Sequence, residues 1–382
     1  MTSRLVVNSI RHTGSSSDAV TLASDGTATA NLTNRQNRNL IINGAMQVAQ
    51  RGTSSTSSGM QTVDRFASFH NGTDEASTQA QVDVASGTTP YTSGFRKALK
   101  ITNGNQTSGA GATDYIWIQT ILEAQDIANS GWNYTSTSSF VTLSFWVKSS
   151  VAQDFKGYLR SRDGTSQMYP FATGSLTADT WTKITKTIPG NSNLQFDNDV
   201  DKGLEINIAP FFGTDLTNNA TTENAWAAYV AANRTKDNTS TWYTTNDATF
   251  EITGVQLEVG SVATDFEQRS FAVEKKLCER YFKVFNSFSG IASSADTFQG
   301  PLSYDMRATP SAALSPSGQA RITDSAFADF ATSSVTNLVV YNATSTGLRL
   351  NVGGFSGMST QKPMTWLPTG TNQSDVHLAA EL

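Results

Sequence analysis

Aromatic side chains in loop-like or outward positions are the residues of this sequence that suggest a binding chemistry. An exposed aromatic ring stacks on the C–H face of a pyranose, while Asn, Asp, Gln and Arg bind the hydroxyl groups of the sugar. Core or inter-subunit packing is the alternative for each candidate, and the sequence leaves both open. The candidates are Trp132, Tyr134, Tyr169, Trp226, Trp242 and Tyr243, and, in the C-terminal part of the sequence, Tyr341, Phe355 and Trp366.

Covalent catalysis and metal binding are not indicated. The histidines His12, His70 and His377 lie in no recognisable motif, and the sequence has no Gly-x-Ser-x-Gly elbow, phosphate loop or His/Cys cluster. We expect no catalytic residue, cofactor or metal. The acidic turn 197–201 has oxygen ligands suited to calcium, but a solvated turn is the favoured interpretation. A glycosidase needs two carboxylates, and nothing selects a pair from Asp64, Asp154, Asp163 and Glu258.

The composition argues against several classes of protein. The net charge of the 382 residues is −5 and no dense Lys/Arg block is present, so we expect no nucleic-acid binding. No window approaches the roughly 20 apolar residues of a membrane span, and no signal-peptide pattern is visible, so we expect no membrane insertion and no Sec export. Cys278 is the single cysteine, which excludes an intrachain disulfide and predicts a small buried core residue.

Residues 79–260 contain many short alternating runs separated by Gly, Asn, Ser and Asp. This pattern predicts a mainly β fold built as a sandwich or jelly roll. In the strongest run, residues 140–147, Phe145 and Val147 lie on one face and Trp146 on the other. The predicted strands cover residues 79–84, 98–102, 115–122, 140–147, 157–160, 181–188, 204–209 and 249–259.

Two further elements are predicted inside this region. The apolar residues 40–42 have the character of a fully buried strand, followed by a turn at Asn43-Gly44. Residues 223–233, rich in Ala and containing Trp226, predict a short helix before the final strand. For Glu258 and Glu267 we expect hydrogen bonding, or pairing with Arg269 or Arg65.

Residues 1–38 form a polar segment with little capacity to fold alone. Two short runs, 20–22 and 28–30, flank Asp25-Gly26, a strong hairpin signal. An isolated hairpin is marginally stable in water. We therefore infer that this N-terminal arm is ordered by pairing with other chains, either sister copies or a docking protein, with a disordered tail as the alternative.

The region after residue 270 is predicted to be a helix followed by a smaller β domain. The helix, residues 271–286, either packs on the preceding domain or forms a trimer core, and its apolar stripe suits both. The β domain, residues 287–382, has predicted strands near 319–323, 335–341, 348–352 and 376–382. The helical stripe consists of Leu277, Cys278, Tyr281, Phe282 and Phe285.

Several segments resemble motifs of bacteriophage tail-fibre and other virion structural proteins. One begins a module with Asn39-Leu40-Ile41-Ile42-Asn43-Gly44 and continues to Gln50-Arg51-Gly52. A second is Thr62-Val63-Asp64-Arg65-Phe66, and a third runs from Gly254 to Ser270 and is followed by Leu277-Cys278 and Arg280-Tyr281. A weaker match is Met306-Arg307-Ala308-Thr309-Pro310.

The resemblance implies a jelly roll similar to carbohydrate-binding modules, spanning residues 39–270, in a fibre or spike subunit of a virion. It implies a homotrimer that is anchored to another virion protein, of the tail or capsid, by residues 1–38. It also implies that the subunit, assembled in the host cytoplasm, mediates adsorption to a bacterial surface glycan or protein without covalent chemistry. The last domain would form the receptor-binding tip. Two alternatives remain: a structural virion protein that binds no receptor, either a capsid decoration or a tail connector, and a polysaccharide depolymerase.

Overall fold

The fold is mainly β, as the sequence predicts. The computed structural model describes residues 7–15, 18–24, 28–30, 37–315, 320–326, 328–332, 335–367 and 375–382. Within these residues, every pairing between strands is antiparallel. None of the described helices is long and apolar enough to cross a membrane.

The N-terminal arm contains a three-stranded sheet of β1 (Ser9–Ile10), β2 (Val20–Leu22) and β3 (Ala28–Ala30). The predicted hairpin is confirmed, since Val20 pairs with Ala30 and Leu22 with Ala28. The predicted Asp25-Gly26 turn lies outside the described residues.

Residues 54–259 form a β-sandwich whose short strands and helices follow each other along the chain. The helices are α1 (Thr89–Thr92), α2 (Ala124–Ala128) and α3 (Thr241–Thr244). The strands are β4 (Ser54–Ser55), β5 (Ala67–Asn71), β6 (Thr78–Asp83), β7 (Lys97–Thr102), β8 (Tyr115–Glu123), β9 (Phe140–Ser149), β10 (Asp154–Ser161), β11 (Gln167–Ser175), β12 (Thr182–Pro189), β13 (Lys202–Phe212), β14 (Ala227–Ala228) and β15 (Thr249–Val259).

These strands make two six-stranded sheets. The first sheet has the order β14-β11-β10-β13-β8-β5, and the second has the order β12-β9-β15-β7-β6-β4. The core lies between them, where Phe145 and Val147 of the second sheet share one cluster with Phe171 and Ile206 of the first. Burial of one such side chain contributes roughly 1.5–3 kcal/mol. Trp146 lies on the opposite face of β9 from this core, as the alternation predicts.

A second, smaller β unit follows. It consists of a three-stranded sheet, order β16-β25-β19, and a seven-stranded sheet, order β21-β20-β24-β17-β18-β23-β22. Both sheets contribute side chains to one core. The strands are β16 (Phe282–Phe285), β17 (Phe288–Ala292), β18 (Thr297–Ser303), β19 (Ser311–Ser315), β20 (Ala320–Asp324), β21 (Asp329–Thr332), β22 (Asn337–Tyr341), β23 (Gly347–Gly353), β24 (Pro363–Trp366) and β25 (Asp375–Ala379).

The linking helix is shorter than predicted. α4 covers Phe271–Glu279, and Ser270 caps it by accepting a hydrogen bond from the Val273 amide. The predicted continuation to residue 286 is wrong, because residues 282–285 form β16 and pair with β25. Cys278 is fully buried, as predicted, and burial raises the pKa of its thiol.

Two other local predictions are wrong. Residues 223–233 form no α-helix, because Ala227 and Ala228 pair with the edge of β11 and only residues 231–233 make a short 3-10 turn. Residues 40–42 form no strand, although Leu40 makes one backbone hydrogen bond to Leu257. Turns follow at residues 42–45.

A buried polar junction joins the sandwich to α4. Glu123, at the end of β8, has no exposed surface, and Arg280 donates to its two carboxylate oxygens at 2.9 and 2.8 Å. The Tyr281 hydroxyl donates to the same carboxylate at 2.6 Å. Burial alone would raise the pKa of Glu123, but these hydrogen bonds outweigh it and hold that pKa below its ordinary value.

The junction also holds the last residues of the chain. The Arg65 guanidinium stacks on the Tyr281 ring at 3.5 Å and pairs with Glu381 at 2.5 Å. Arg51 stacks on Phe282 at 3.5 Å and pairs with the same carboxylate at 2.8 Å. The motif residues that carry the sequence resemblance therefore meet at one place in the fold.

We predict that Glu123→Gln lowers the free energy of unfolding by about 1–3 kcal/mol, because the partly buried Arg280 loses its counter-charge. The matched control is Glu279→Gln on α4, which lies 3.5 Å from Lys275 at the surface and should cost less than about 1 kcal/mol. Urea unfolding followed by tryptophan fluorescence measures both.

A comparison of the wild type with Glu123→Gln also tests how this stabilisation depends on pH. Because the folded pKa of Glu123 is lowered, its stabilisation is present above the ordinary glutamate pKa of about 4.3 and is lost as pH falls through the folded value. The stability difference between the wild type and Glu123→Gln should therefore shrink below about pH 4. A difference that stays constant with pH would contradict this assignment.

Candidate functional site

Six of the nine aromatic candidates are buried, so the expectation that they face solvent is wrong. Trp242 and Tyr243 of α3 lie inside the sandwich core, where Tyr243 stacks on Phe211 at 4.3 Å and donates to Asp114 at 3.0 Å. The physical reason is the same for all six: each ring fills space in a hydrophobic core rather than ending a loop. The six are Trp132, Tyr169, Trp242, Tyr243, Phe355 and Trp366.

Two of the other three candidates, Tyr134 and Trp226, pack at the edge of the same core cluster, and the third, Tyr341, lies in the C-terminal unit. Tyr134 is half-buried against Phe196, with ring centroids 5.0 Å apart. Trp226 is half-buried, and its indole Nε1 donates to the Pro189 carbonyl at 2.7 Å. Tyr341 is 41% exposed at the edge strand β22 of the C-terminal unit. The half-buried rings contact buried candidates, Tyr134 with Trp132 at 6.3 Å and Trp226 with Tyr169 at 5.3 Å, so they extend the core rather than stand free of it.

A different set of aromatic side chains forms a continuous strip across the outer face of the first sheet. On β8, Ile116 and Ile118 point into the core, and Tyr115 and Trp117 lie on the other side. Trp117 has ring contacts with Phe69 of β5 at 5.6 Å, with Tyr115 at 4.4 Å and with Phe212 of β13 at 5.4 Å. We call this strip, with the polar residues beside it, the Trp117 face.

Amide groups border the aromatic strip. Gln119 Nε2 donates to Asn207 Oδ1 at 2.9 Å across the β8–β13 pair, in which these two residues lie opposite each other. Two buried donors on this face have no hydrogen-bond partner among the described residues, namely Asn207 Nδ2 and Trp117 Nε1. A buried donor without a partner costs about 1–3 kcal/mol. The face therefore holds donor capacity that the folded chain does not use.

Cationic groups lie next to these donors. The Arg234 guanidinium is 5.6 Å from the Trp117 ring and donates to the Tyr229 hydroxyl at 3.0 Å, and no described carboxylate lies within ion-pair distance of it. The Arg160 guanidinium stacks on the Tyr229 ring, 3.6 Å from its centroid. Glu205 is the nearby acid, 4.0 Å from Arg160. The face is thus rich in donors and carries excess positive charge.

This arrangement suits recognition of a ring with an apolar face and acceptor groups on its edge. Half-buried Trp117 and Tyr115 offer aromatic surface, while the Arg234 guanidinium offers charged donors. A sugar carrying a carboxylate has both features. Burial raises the pKa of the Tyr158 hydroxyl beneath the face, so this group stays protonated at neutral pH.

The four carboxylates considered for hydrolysis each have a local partner instead. Asp64 binds Gln50, Asp154 pairs with Lys156, Asp163 accepts from the Asp197 amide, and Glu258 accepts from Thr264. Glu267 pairs with Arg269 at 3.5 Å, as predicted, whereas Arg65 pairs with Glu381. No cluster of three or more metal-binding side chains occurs within the described part of the chain.

The signal that could have found the Trp117 face is present in the sequence. In residues 115–122 the isoleucines alternate with Tyr115, Trp117 and Gln119, which places two large aromatic residues on the non-core side of a strand. A loop-based search for aromatic residues misses them because they lie in the middle of regular structure.

The chain is similar at low level to several solved structures. Neither a protein-family model nor a curated protein matches it in sequence. The enzymatically active domain of tailspike protein 4 from bacteriophage CBA120 matches with 8% identity and a TM-score of 0.31, over 58% of this chain and 21% of the tailspike chain. The chain thus spans about a fifth of that tailspike.

Two carbohydrate-binding modules match similarly. The N-terminal cellulose-binding domain of Cellulomonas fimi β-1,4-glucanase C gives 11% identity and a TM-score of 0.27, over 56% of this chain and 99% of that domain. The family 11 module of a Clostridium thermocellum cellulase gives 12% identity and a TM-score of 0.24, over 54% and 95%. At these TM-scores, no residue role or ligand transfers to this chain.

We predict that Trp117→Phe and Trp226→Phe both lower the free energy of unfolding, and that the loss is about 1 kcal/mol smaller for Trp117→Phe. Both indoles are half-buried, but only that of Trp226 loses a hydrogen bond, to Pro189. Urea unfolding of the two variants measures the difference. An equal or larger loss at Trp117 would mean that its N–H has a structural partner, and would contradict the unused donor.

Proposed function

We propose that this protein binds a bacterial surface glycan through the Trp117 face and serves as a fibre or spike subunit in the adsorption of a phage. The observation that carries the proposal is the half-buried Trp117 ring beside donors that no described residue uses. A ligand that stacks on the ring covers the aromatic surface, and acceptor groups on its edge bind the Arg234 guanidinium next to that ring.

The kind of ligand follows from the chemistry of the groups without partners, which are hydrogen-bond donors and a cation. Trp117 Nε1 and Asn207 Nδ2 are donors, and Arg234 is a cation without a described carboxylate partner. A neutral sugar would satisfy donors through its hydroxyl groups but would leave the guanidinium without a counter-charge. We therefore assign a carboxylate-bearing sugar, such as a hexuronic acid unit of a polysaccharide, to this face.

The role in a virion rests on the motif resemblance and on a surface suited to assembly. Val262 and Phe271 are 58% and 55% exposed at the end of the sandwich and the start of α4, with Val273 close by at 51%. Large apolar side chains exposed in this way favour contact with another chain. In a homotrimer, three weak sugar contacts would reinforce one another and raise the avidity by orders of magnitude.

The same exposed apolar side chains favour a second candidate, a structural virion subunit whose main role is assembly. In this case the protein binds no receptor and connects to the particle through residues 1–38 and the surface around Phe271. In both cases we propose a non-enzymatic protein, since each carboxylate considered for hydrolysis is held by its own structural partner.

We predict that Trp117→Ala and Arg234→Ala each weaken binding to a uronate-containing bacterial polysaccharide by about tenfold or more. A panel of bacterial polysaccharides in native affinity gels identifies the ligand and gives the retardation of each variant. The matched control is Tyr341→Ala, which removes another accessible aromatic ring far along the chain and should leave retardation unchanged.

The outcomes separate the two candidate functions. Loss of binding with Tyr341→Ala and not with Trp117→Ala would move the receptor site to the C-terminal unit and contradict the proposed face. Failure of the wild-type protein to bind any polysaccharide in the panel, although it folds and assembles, would favour the structural subunit.

A further inference from the structure

A separate cleft of about 540 Å³ opens on the outer face of the second sheet, on the opposite side of the sandwich from the Trp117 face. Its volume lies within the range of ligand pockets that bury small organic molecules. Loop residues 92–95 border one side and tail residues 265–268 border another. Strands β9 and β12 and the irregular part of β15 contribute the remaining wall.

The floor of the cleft is the half-buried ring of Trp146, which we use to name it the Trp146 cleft. Its indole N–H makes no hydrogen bond to any described residue, and across the sheet it lies between Lys183 of β12 and Thr253 of β15. Phe95 and Phe266 form an apolar wall, in edge-to-face contact at 4.9 Å. Gly254 has a φ of +64°, and a Cβ there would lie 2.6 Å from the Phe95 ring.

Buried polar side chains hold the tail against the sheet. Gln256 Oε1 accepts from the Glu267 amide at 2.8 Å, and the Glu258 carboxylate accepts from the Thr264 amide at 2.8 Å and from its hydroxyl at 2.6 Å. Gln256 and Glu258 are almost completely buried. The wall of the cleft is therefore fixed by the fold, and the site is preorganised for a ligand.

Two charged side chains and an amide line the cleft, together with the hydroxyl groups of Thr92, Ser93 and Ser144. Lys183 and Asp265 are exposed, and neither forms an ion pair with any described residue. Gln268 lines the same cleft and makes one long hydrogen bond, of 3.5 Å, to the Ser93 carbonyl. The cleft thus offers an ammonium donor, a carboxylate acceptor and an amide that does both.

We infer that the Trp146 cleft is a second saccharide site, which takes a neutral hexose unit of a short oligosaccharide. The ring C–H face stacks on Trp146, and hydroxyl groups, which both donate and accept, bind Asp265, Lys183 and Gln268. A purely anionic ligand would leave Asp265 repelled, and a purely apolar ligand would leave both charges unused. The inference rests on the proposed saccharide recognition but not on the Trp117 face.

Two sites on opposite sheets make the module bivalent. The Trp117 face favours an acidic sugar because its unused groups are donors and cations, whereas the Trp146 cleft carries one charge of each sign. A single domain would then contact two glycan strands, or two separate positions on one folded strand, and the contacts would add in avidity.

The test is calorimetric titration of the full chain with neutral trisaccharides: cellotriose, xylotriose, maltotriose and mannotriose. We expect at least one to bind, and Trp146→Ala to raise its Kd by about tenfold or more. The matched control is Trp181→Ala, a half-buried ring on the same sheet face that does not line the cleft. It should change the Kd by less than about twofold, since a side chain outside the central contact contributes little to the binding free energy.

A second variant shows whether a loss of binding results from a lost contact or from a less stable fold. Asp265→Asn retains the size of an exposed side chain and should weaken the neutral sugar without changing the unfolding midpoint. Trp117→Ala should leave neutral binding intact while it abolishes binding of the acidic polysaccharide. That outcome supports the cleft and the face together.

Other outcomes separate the two claims. Neutral binding that Trp117→Ala abolishes and Trp146→Ala leaves unchanged overturns the cleft and keeps the face. Neutral binding that Trp146→Ala abolishes, with no ligand lost in Trp117→Ala, supports the cleft and overturns the face. No binding of any trisaccharide at millimolar concentration overturns the cleft.

Discussion

The buried carboxylate of Glu123 constrains how the parts of this chain are joined. It has no exposed surface, so it needs the two hydrogen bonds from Arg280 and the one from Tyr281 to remain ionised in the interior. Those partners come from the end of α4, which fixes the helix against the sandwich. Arg65 then stacks on Tyr281 and pairs with Glu381, which fixes the end of the chain on the same junction. An alternative placement of α4 would leave a buried charge without a partner.

The two proposed binding surfaces depend on regular structure held in this way. The Trp117 face lies on strands β13, β8 and β5 of the first sheet, and the Trp146 cleft lies on the second sheet with its tail wall fixed by Gln256 and Glu258. Side chains on paired strands lose little conformational freedom when a ligand binds. The binding free energy from weak contacts with a sugar is therefore not offset by a large loss of conformational entropy in the protein. The polar residues of the tail motif, Gln256, Glu258 and Glu267, thus have a structural role that also shapes a site.

Sequence reasoning predicted the β-sandwich because alternation directly reports which face of a strand is buried. The prediction of Trp146 on the non-core side of β9 is confirmed for this reason. β11 is absent from the predicted strands. It contains Pro170, a residue that disfavours a sheet interior, and Pro170 pairs with Tyr158 near the sheet edge. β16 was predicted as helix, because Phe282 and Phe285 continue a helical spacing and only their distant partner β25 makes them a strand.

The aromatic site residues were not predictable in the same way. Turn-forming residues lie close to Trp242 and Trp366 in the sequence, which suggests that both rings are exposed. Packing against residues that are distant in the sequence buries them instead. No local pattern reports that Asn207 and Trp117 leave donors unused, since this depends on what four separate strands bring together.

The most direct measurement of the central claim is a nuclear magnetic resonance titration of the indole N–H groups of the seven tryptophans with oligosaccharides from a uronate-containing bacterial polysaccharide. If an acidic sugar stacks on the Trp117 face, the Trp117 indole resonance shifts and saturates as ligand is added, while that of Trp226, whose N–H is bonded to the Pro189 carbonyl, stays in place. A Trp117 resonance that does not move while the ligand binds elsewhere on the protein would contradict the central claim.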